Sequence, residues 1–242
     1  MESKALKRAV IVGVGGAAMV LAGAAQAGVS GQGTWETTLQ PRDINGDTVT
    51  DSFYDTILDV TWLRNANVNG SSGSGNWSTA NTWAAALDVY GFTGWRLPTM
   101  IDTGSPGCSY ATVGTDCGFN VLTRSGITVY SEMAHLFYET LGNRAYYDTR
   151  GIPQPGWGLT NTGDFQNMQP DVYWSGLESS PRTGWIFDMS CGSQGVYCKG
   201  AGWFALAVRP GDVAAVVPEP QSYGMMLVGL SALMLALRRR PR

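Results

Sequence analysis

The sequence predicts an α+β domain with two helices and short antiparallel strands, flanked by an N-terminal signal peptide and a C-terminal membrane or sorting helix. Three observations predict it. Both ends of the 242-residue chain carry apolar runs with basic residues beside them. The stretch between holds all nine tryptophans, all four cysteines and most of the 32 glycines. Within that stretch only two segments repeat apolar residues at helical spacing, and the other apolar runs are short and β-prone.

Lys4, Lys7 and Arg8 start the chain, an apolar run follows from Ala9 to Ala25, and Ala25-Gln26-Ala27 supplies a small-x-small cleavage pattern. That is a secretory signal over 1–27, cut after Ala27; a retained anchor is the alternative. Thr48 to Leu63 is rich in β-branched and aromatic residues and reads as strands around a turn near Asp55-Thr56. Asn69 to Asn76 is a polar Gly/Ser loop. Ser78 to Tyr90 is the first helix, with Ala80, Trp83, Ala84 and Leu87 on one face and Gly91 as the stop. Ser131 to Leu141 is the second, with Ser131 as N-cap, Met133, Leu136, Phe137 and Leu141 on the apolar face, and Gly142 beyond its end. Short β-prone runs follow at Val172–Ser175, Gly184–Met189 and Trp203–Val208.

The C-terminus reads Val217-Pro218-Glu219-Pro220, then 15 uncharged residues from Tyr223 to Leu237, then Arg238-Arg239-Arg240-Pro241-Arg242. The prolines stop any helix from upstream. As a helix the run is about 22 Å long, short of a hydrocarbon core of roughly 30 Å. It seats in a membrane if the arginines snorkel and the bilayer thins, with the basic end cytoplasmic.

Setting the ends aside changes the charge. The chain has 16 Lys+Arg and 19 Asp+Glu. The ends take seven of the cations and two of the acids, so the body over 28–216 keeps 9 and 17, a net charge of −8. Nucleic acid needs a basic footprint and is excluded as a partner. Cys108, Cys117, Cys191 and Cys198 form an even set in an exported chain and read as disulfides. Of three connectivities the local pairs, Cys108–Cys117 and Cys191–Cys198, are the simplest. The spacing does not suit a zinc site.

The tail resembles the PEP-CTERM sorting signal of exopolysaccharide-producing Gram-negative bacteria. That resemblance implies an inner-membrane stage, processing by exosortase near Pro-Glu-Pro after signal peptidase has acted, and release to the cell surface or matrix. A plain membrane anchor behind a proline linker is the alternative. In the body, Thr48-Val49-Thr50-Asp51, Leu58-Asp59-Val60-Thr61-Trp62-Leu63, Gly94-Trp95-Arg96-Leu97-Pro98-Thr99, Tyr173-Trp174-Ser175-Gly176, Trp185-Ile186-Phe187 and Ala207-Val208-Arg209-Pro210-Gly211-Asp212 are similar to the Lcl C-terminal domain family. The likeness spans about 39–212. It implies a C-type-lectin-like fold and leans towards extracellular adhesion or glycan binding; the family's namesake binds sulfated glycans. Read from the residues alone, Arg96 in that turn serves a carboxylate or carbonyl while Trp95 packs.

Candidate sites are few. His135 is the lone histidine, on the border of a helix face, and reads as structural. There is no Gly-x-Ser-x-Gly elbow. Asp43, Asn45, Asp47 and Asp51 place oxygens at alternating positions and make calcium possible, without the spacing of an EF-hand; an Asn-Gly turn is the alternative. Gln169-Pro170-Asp171 resembles the galactose-type tripeptide of calcium-dependent lectins, so Gln169 and Asp171 are candidate glycan contacts, although the partner motif is absent. Trp62, Trp95, Trp174 and Trp185 lie in apolar runs and read as core. Trp77 and Trp157 sit in glycine-rich segments and are candidates to stack on a sugar. The expectation is a non-enzymatic exported protein that binds exopolysaccharide or another glycan. A purely structural matrix component and an extracellular hydrolase are the alternatives.

Overall fold

The computed structural model describes residues 28–67, 75–109 and 113–213. The two ends read as targeting signals, with Ala25, Ala27, Val217, Pro218, Glu219, Pro220, Arg238, Arg239 and Arg240, lie outside these residues. Among the described residues no helix is long and apolar enough to cross a membrane.

The body is a mixed α+β structure with few helices and antiparallel sheets. After a single turn, α1 (Trp35–Thr38), come β1 (Leu39–Arg42), β2 (Ser52–Asp55) and β3 (Val60–Leu63). These pair in order and are completed by the last strand, β10 (Val208–Pro210), on β3. The β2–β3 turn falls at Thr56–Asp59, next to the expected place. There Asp55, fully buried, accepts the N–H groups of Ile57 and Leu58, and burial pushes its carboxyl up. Pro41 is tolerated in β1 because that strand is an edge.

The second sheet runs β4 (Gly118–Phe119), β9 (Ser193–Cys198), β8 (Thr183–Asp188), β7 (Val172–Ser180). A small hairpin of β5 (Arg124–Ser125) and β6 (Thr128–Val129) precedes the central helix. Trp62, Phe53, Tyr173, Phe187, Leu136, Phe137 and Leu206 form one buried cluster that joins both sheets to that helix.

Helix α2 spans Trp77–Ala85, capped by Asn76, whose side chain accepts the Thr79 N–H at 2.9 Å. It starts one residue before the expected position and ends well before Gly91, because Val89–Phe92 turns back as a hairpin. Helix α3 begins as expected at Ser131, whose hydroxyl accepts the Ala134 N–H. One α turn (Glu132–His135) then widens into a π turn (Leu136–Thr140). All four residues named for its apolar face are buried to 2% exposure or less. Gly142 follows at φ +65, where a Cβ would sit 2.5 Å from the Gly33 nitrogen.

The Trp-Arg-Leu-Pro-Thr turn is fastened to α3. Arg96 forks onto Glu132 with two bonds of 2.7 Å, and Glu132 also accepts the Thr99 N–H at 2.7 Å. Cys108 and Cys117 are bridged, with Cα atoms 4.7 Å apart. The second expected bridge is absent: Cys191 and Cys198 are free thiols. Cys191 lies in the β8–β9 turn and Cys198 ends β9, so a strand of about 17 Å separates them, whereas a bridge holds Cα atoms within about 7 Å.

Candidate cleft beside Tyr90

An open cleft of about 420 Å³ lies between the end of β3, the segment leading into β2, and the hairpin after α2. Its floor is Leu63, layered on Trp95 and Ala207. One wall is Val49–Asp51. Arg64 and Asn65 follow β3, and Gln166 is held beside them because its N–H bonds the Arg64 carbonyl while its own carbonyl accepts the Ala66 N–H.

The opposite wall is Asp88–Tyr90. Val89 and Phe92 exchange both backbone hydrogen bonds at 3.0 Å, and the two residues between them, Tyr90 and Gly91, have φ +51 and +90. Positive φ at both central residues defines the two-residue hairpin turn normally filled by Asn-Gly. Tyrosine in the first position is an outlier, since the left-handed conformation brings Cβ against the following carbonyl. The strain is held from both sides. Asp88 Oδ1 accepts the Gly91 N–H at 2.6 Å, and the Phe92 carbonyl accepts the Trp95 indole N–H at 2.8 Å. The result is a tyrosine, 59% exposed as a residue, on the rim of the cleft.

The polar groups around the ring are oriented. Asp51 Oδ2 accepts the Ile44 N–H and Asp88 Oδ1 that of Gly91, so each carboxylate is fixed while keeping acceptor capacity for a ligand. Asn65 Oδ1 already accepts from the Asn67 N–H and Asn167 Nδ2, which turns its amide into an N–H donor. Arg64 is pinned along the wall by the carbonyls of Thr50 and Asp164. Planar acceptors, an amide donor and an aromatic face at one opening match the hydroxyls and C–H face of a pyranose.

The residues singled out from the sequence do not assemble into this site. Asp51 alone lines it. Gln169 reaches only its margin: Nε2 bonds the Asn167 carbonyl, and Asn167 bonds Asn65. Asp171 bonds the adjacent Val172 N–H. Trp77 is not an exposed loop residue. It opens α2, donates its indole N–H to the Ser175 carbonyl and lies flush on Gly184, with Lys199 4.4 Å over its ring. Trp157 is 43% exposed and meets Tyr146 edge-on at 4.9 Å, at the far end of β8.

The calcium candidates Asp43, Asn45 and Asp47 hydrogen-bond to the backbone of their own loop. Asp43 accepts the N–H groups of Gly46, Asp47 and Thr48; Asp47 accepts that of Val49; Asn45 accepts that of Asp47. The loop is a chain of side-chain-to-backbone turns. Among the described residues no group of three or more His, Cys, Asp or Glu is placed to hold a metal. His135 is buried, with its Nδ1 unpartnered, and burial lowers its pKa. The free cysteines do not act as a pair across β9.

The Tyr90 turn is not legible in the sequence, where Asp88 to Tyr90 reads as the end of a helix stopped by Gly91. Its signal is a residue-Gly pair between two apolar residues, with tyrosine where asparagine is expected.

No family model, no curated protein and no solved structure matches this chain.

Proposed function

We propose that this chain is an exported protein of the cell surface or extracellular matrix that binds exopolysaccharide or another glycan without catalysis, and that the Tyr90 cleft is its binding site. The observation that carries the reading is a strained tyrosine presented to solvent beside oriented polar groups. Strain of this kind is concentrated at functional sites, because a relaxed residue would serve a merely structural turn better. Support for the address comes from the signal-like N-terminus, the Pro-Glu-Pro tail with its apolar run and arginines, and an acidic body carrying a disulfide. In this reading the body is a lectin-like module related to the Lcl C-terminal domain, with signal peptidase and an exosortase as its processing partners and the inner membrane as a stage on its route. The test is pull-down on the producer's own polysaccharide together with mass spectrometry of the secreted form. Retention and a C-terminus near Pro218–Pro220 are expected; no retention refutes the binding reading, and an intact Arg242 refutes the sorting reading.

One observation favours a second reading, an extracellular hydrolase. Two carboxylates, Asp51 and Asp88, line the same cleft, and glycosidases work with such a pair. Against it, Asp88 is exposed, whereas a general acid is housed in an apolar pocket. Release of reducing ends from bound polysaccharide, abolished in Asp51→Asn, would establish the hydrolase.

A further inference from the structure

We infer that the Tyr90 cleft selects uncharged glycans and that the body turns anionic polysaccharide away. This deepens, and rests on, the glycan-binding reading. Sulfate and uronate groups are recognised by arginine forks or by several cations converging on one place. The body has nine cations against 17 acids, and every one of the nine lies among the described residues.

Four are already neutralised by carboxylates: Arg42 by Asp212, Arg96 by Glu132, Arg150 by Asp148 and Lys199 by Glu178. Three more donate to backbone carbonyls. Arg64 serves Thr50 and Asp164, Arg124 serves Ile57, and Arg209 serves Thr93 while lying over the Phe92 ring. Those three keep their charge, with part of each guanidinium committed to the protein's own carbonyls, whereas Arg144 and Arg182 have neither kind of partner among the described residues and stand at opposite ends of one strand. Arg182 precedes β8 at Thr183. Arg144 pairs with Gly158, where an added Cβ would meet the Ser190 carbonyl at 2.7 Å, just beyond Asp188. Six strand residues put roughly 17 Å between the two places, too far for one sulfate or carboxylate to engage both.

Within the cleft the balance is also unfavourable to an anion. Arg64 is the single cation of the lining, against Asp51 and Asp88. What the lining offers instead is acceptors for hydroxyl donors, the side-chain amides of Asn65 and Gln166, and the Tyr90 ring. A neutral pyranoside satisfies all three without placing a charge beside the two carboxylates.

Affinity electrophoresis of the full chain in nonionic detergent tests this, with galactomannan and dextran as neutral probes and alginate and heparin as anionic ones. Retardation by a neutral probe is expected, unchanged by added salt because no ion pair forms. Tyr90→Asn, which relaxes the turn, should weaken it by about tenfold or more, the worth of one stacked ring. Stronger, salt-sensitive retardation by alginate or heparin would overturn the selectivity while leaving glycan binding in place. Neutral binding that survives Tyr90→Asn would overturn the assignment to this cleft. Migration unaffected by all four probes would overturn the glycan reading, and this inference with it.

Discussion

Replacing Tyr90 by asparagine should separate binding from stability. At φ +51 a tyrosine costs about 1–2 kcal/mol of backbone strain, most of which asparagine relieves. The ring gives something back. With 59% of the residue exposed, the covered remainder is about 80 Å² of a side chain of roughly 200 Å², worth at most about 2 kcal/mol, part of which asparagine retains. The two terms nearly offset. The expected net change lies between zero and about +1 kcal/mol, or a rise of up to about 3 °C in melting temperature for a domain of this size. Differential scanning calorimetry gives the stability, and affinity electrophoresis the binding. A variant of unchanged or higher melting temperature that no longer binds polysaccharide confirms that the tyrosine is kept for its exposed ring. A fall of several degrees would show that the ring packs, and would refute the reasoning.

Three other outcomes follow from the structure. Arg96→Ala leaves Glu132 buried without its partner and should cost about 3–5 kcal/mol in denaturant unfolding, because an unpaired buried charge is left behind. In alkylation of the native chain followed by mass spectrometry, Cys198 should label first. It is exposed, whereas burial pushes the Cys191 thiol up to about 11; recovery of a Cys191–Cys198 bridge instead would contradict the β9 register. Burial lowers the folded-state pKa of His135 below 6.5, so its neutral form contributes stability above that pH, lost as pH falls through the folded value. His135→Leu should therefore flatten the decline in melting temperature below pH 6.5.

What the sequence revealed was local, and what it hid was long-range. Helix α3 was legible because its cap, its apolar face and its terminating glycine are all consecutive. The Arg96 turn was legible as a structural piece, but not its partner, since Glu132 lies 36 residues away. Strand β9, Ser193 to Cys198, has no apolar alternation and forms only because β4 and β8 flank it. Missing it made Cys191 and Cys198 look like neighbours in a short loop. Trp77 looked exposed because glycine and serine precede it, yet the bare backbone of Gly184 in β8 gives its ring a flat seat. The acidic loop at Asp43 to Asp51 was legible as polar, but its oxygens point at its own N–H groups. Asp88 to Tyr90 reads as helical by continuation from α2, with Gly91 as a helix stop, which hides the tyrosine at the tip of a turn on the rim of a cleft.

The most direct measurement of the central claim is a residue-resolved NMR titration of the folded chain with a neutral oligosaccharide, galactomannan-derived for preference. Shifts should concentrate at Val49–Asp51, Leu63–Asn65, Asp88–Tyr90 and Gln166, with the Tyr90 ring protons moving most. Shifts centred on Trp157 and Tyr146, with the Tyr90 ring unmoved, would contradict the account.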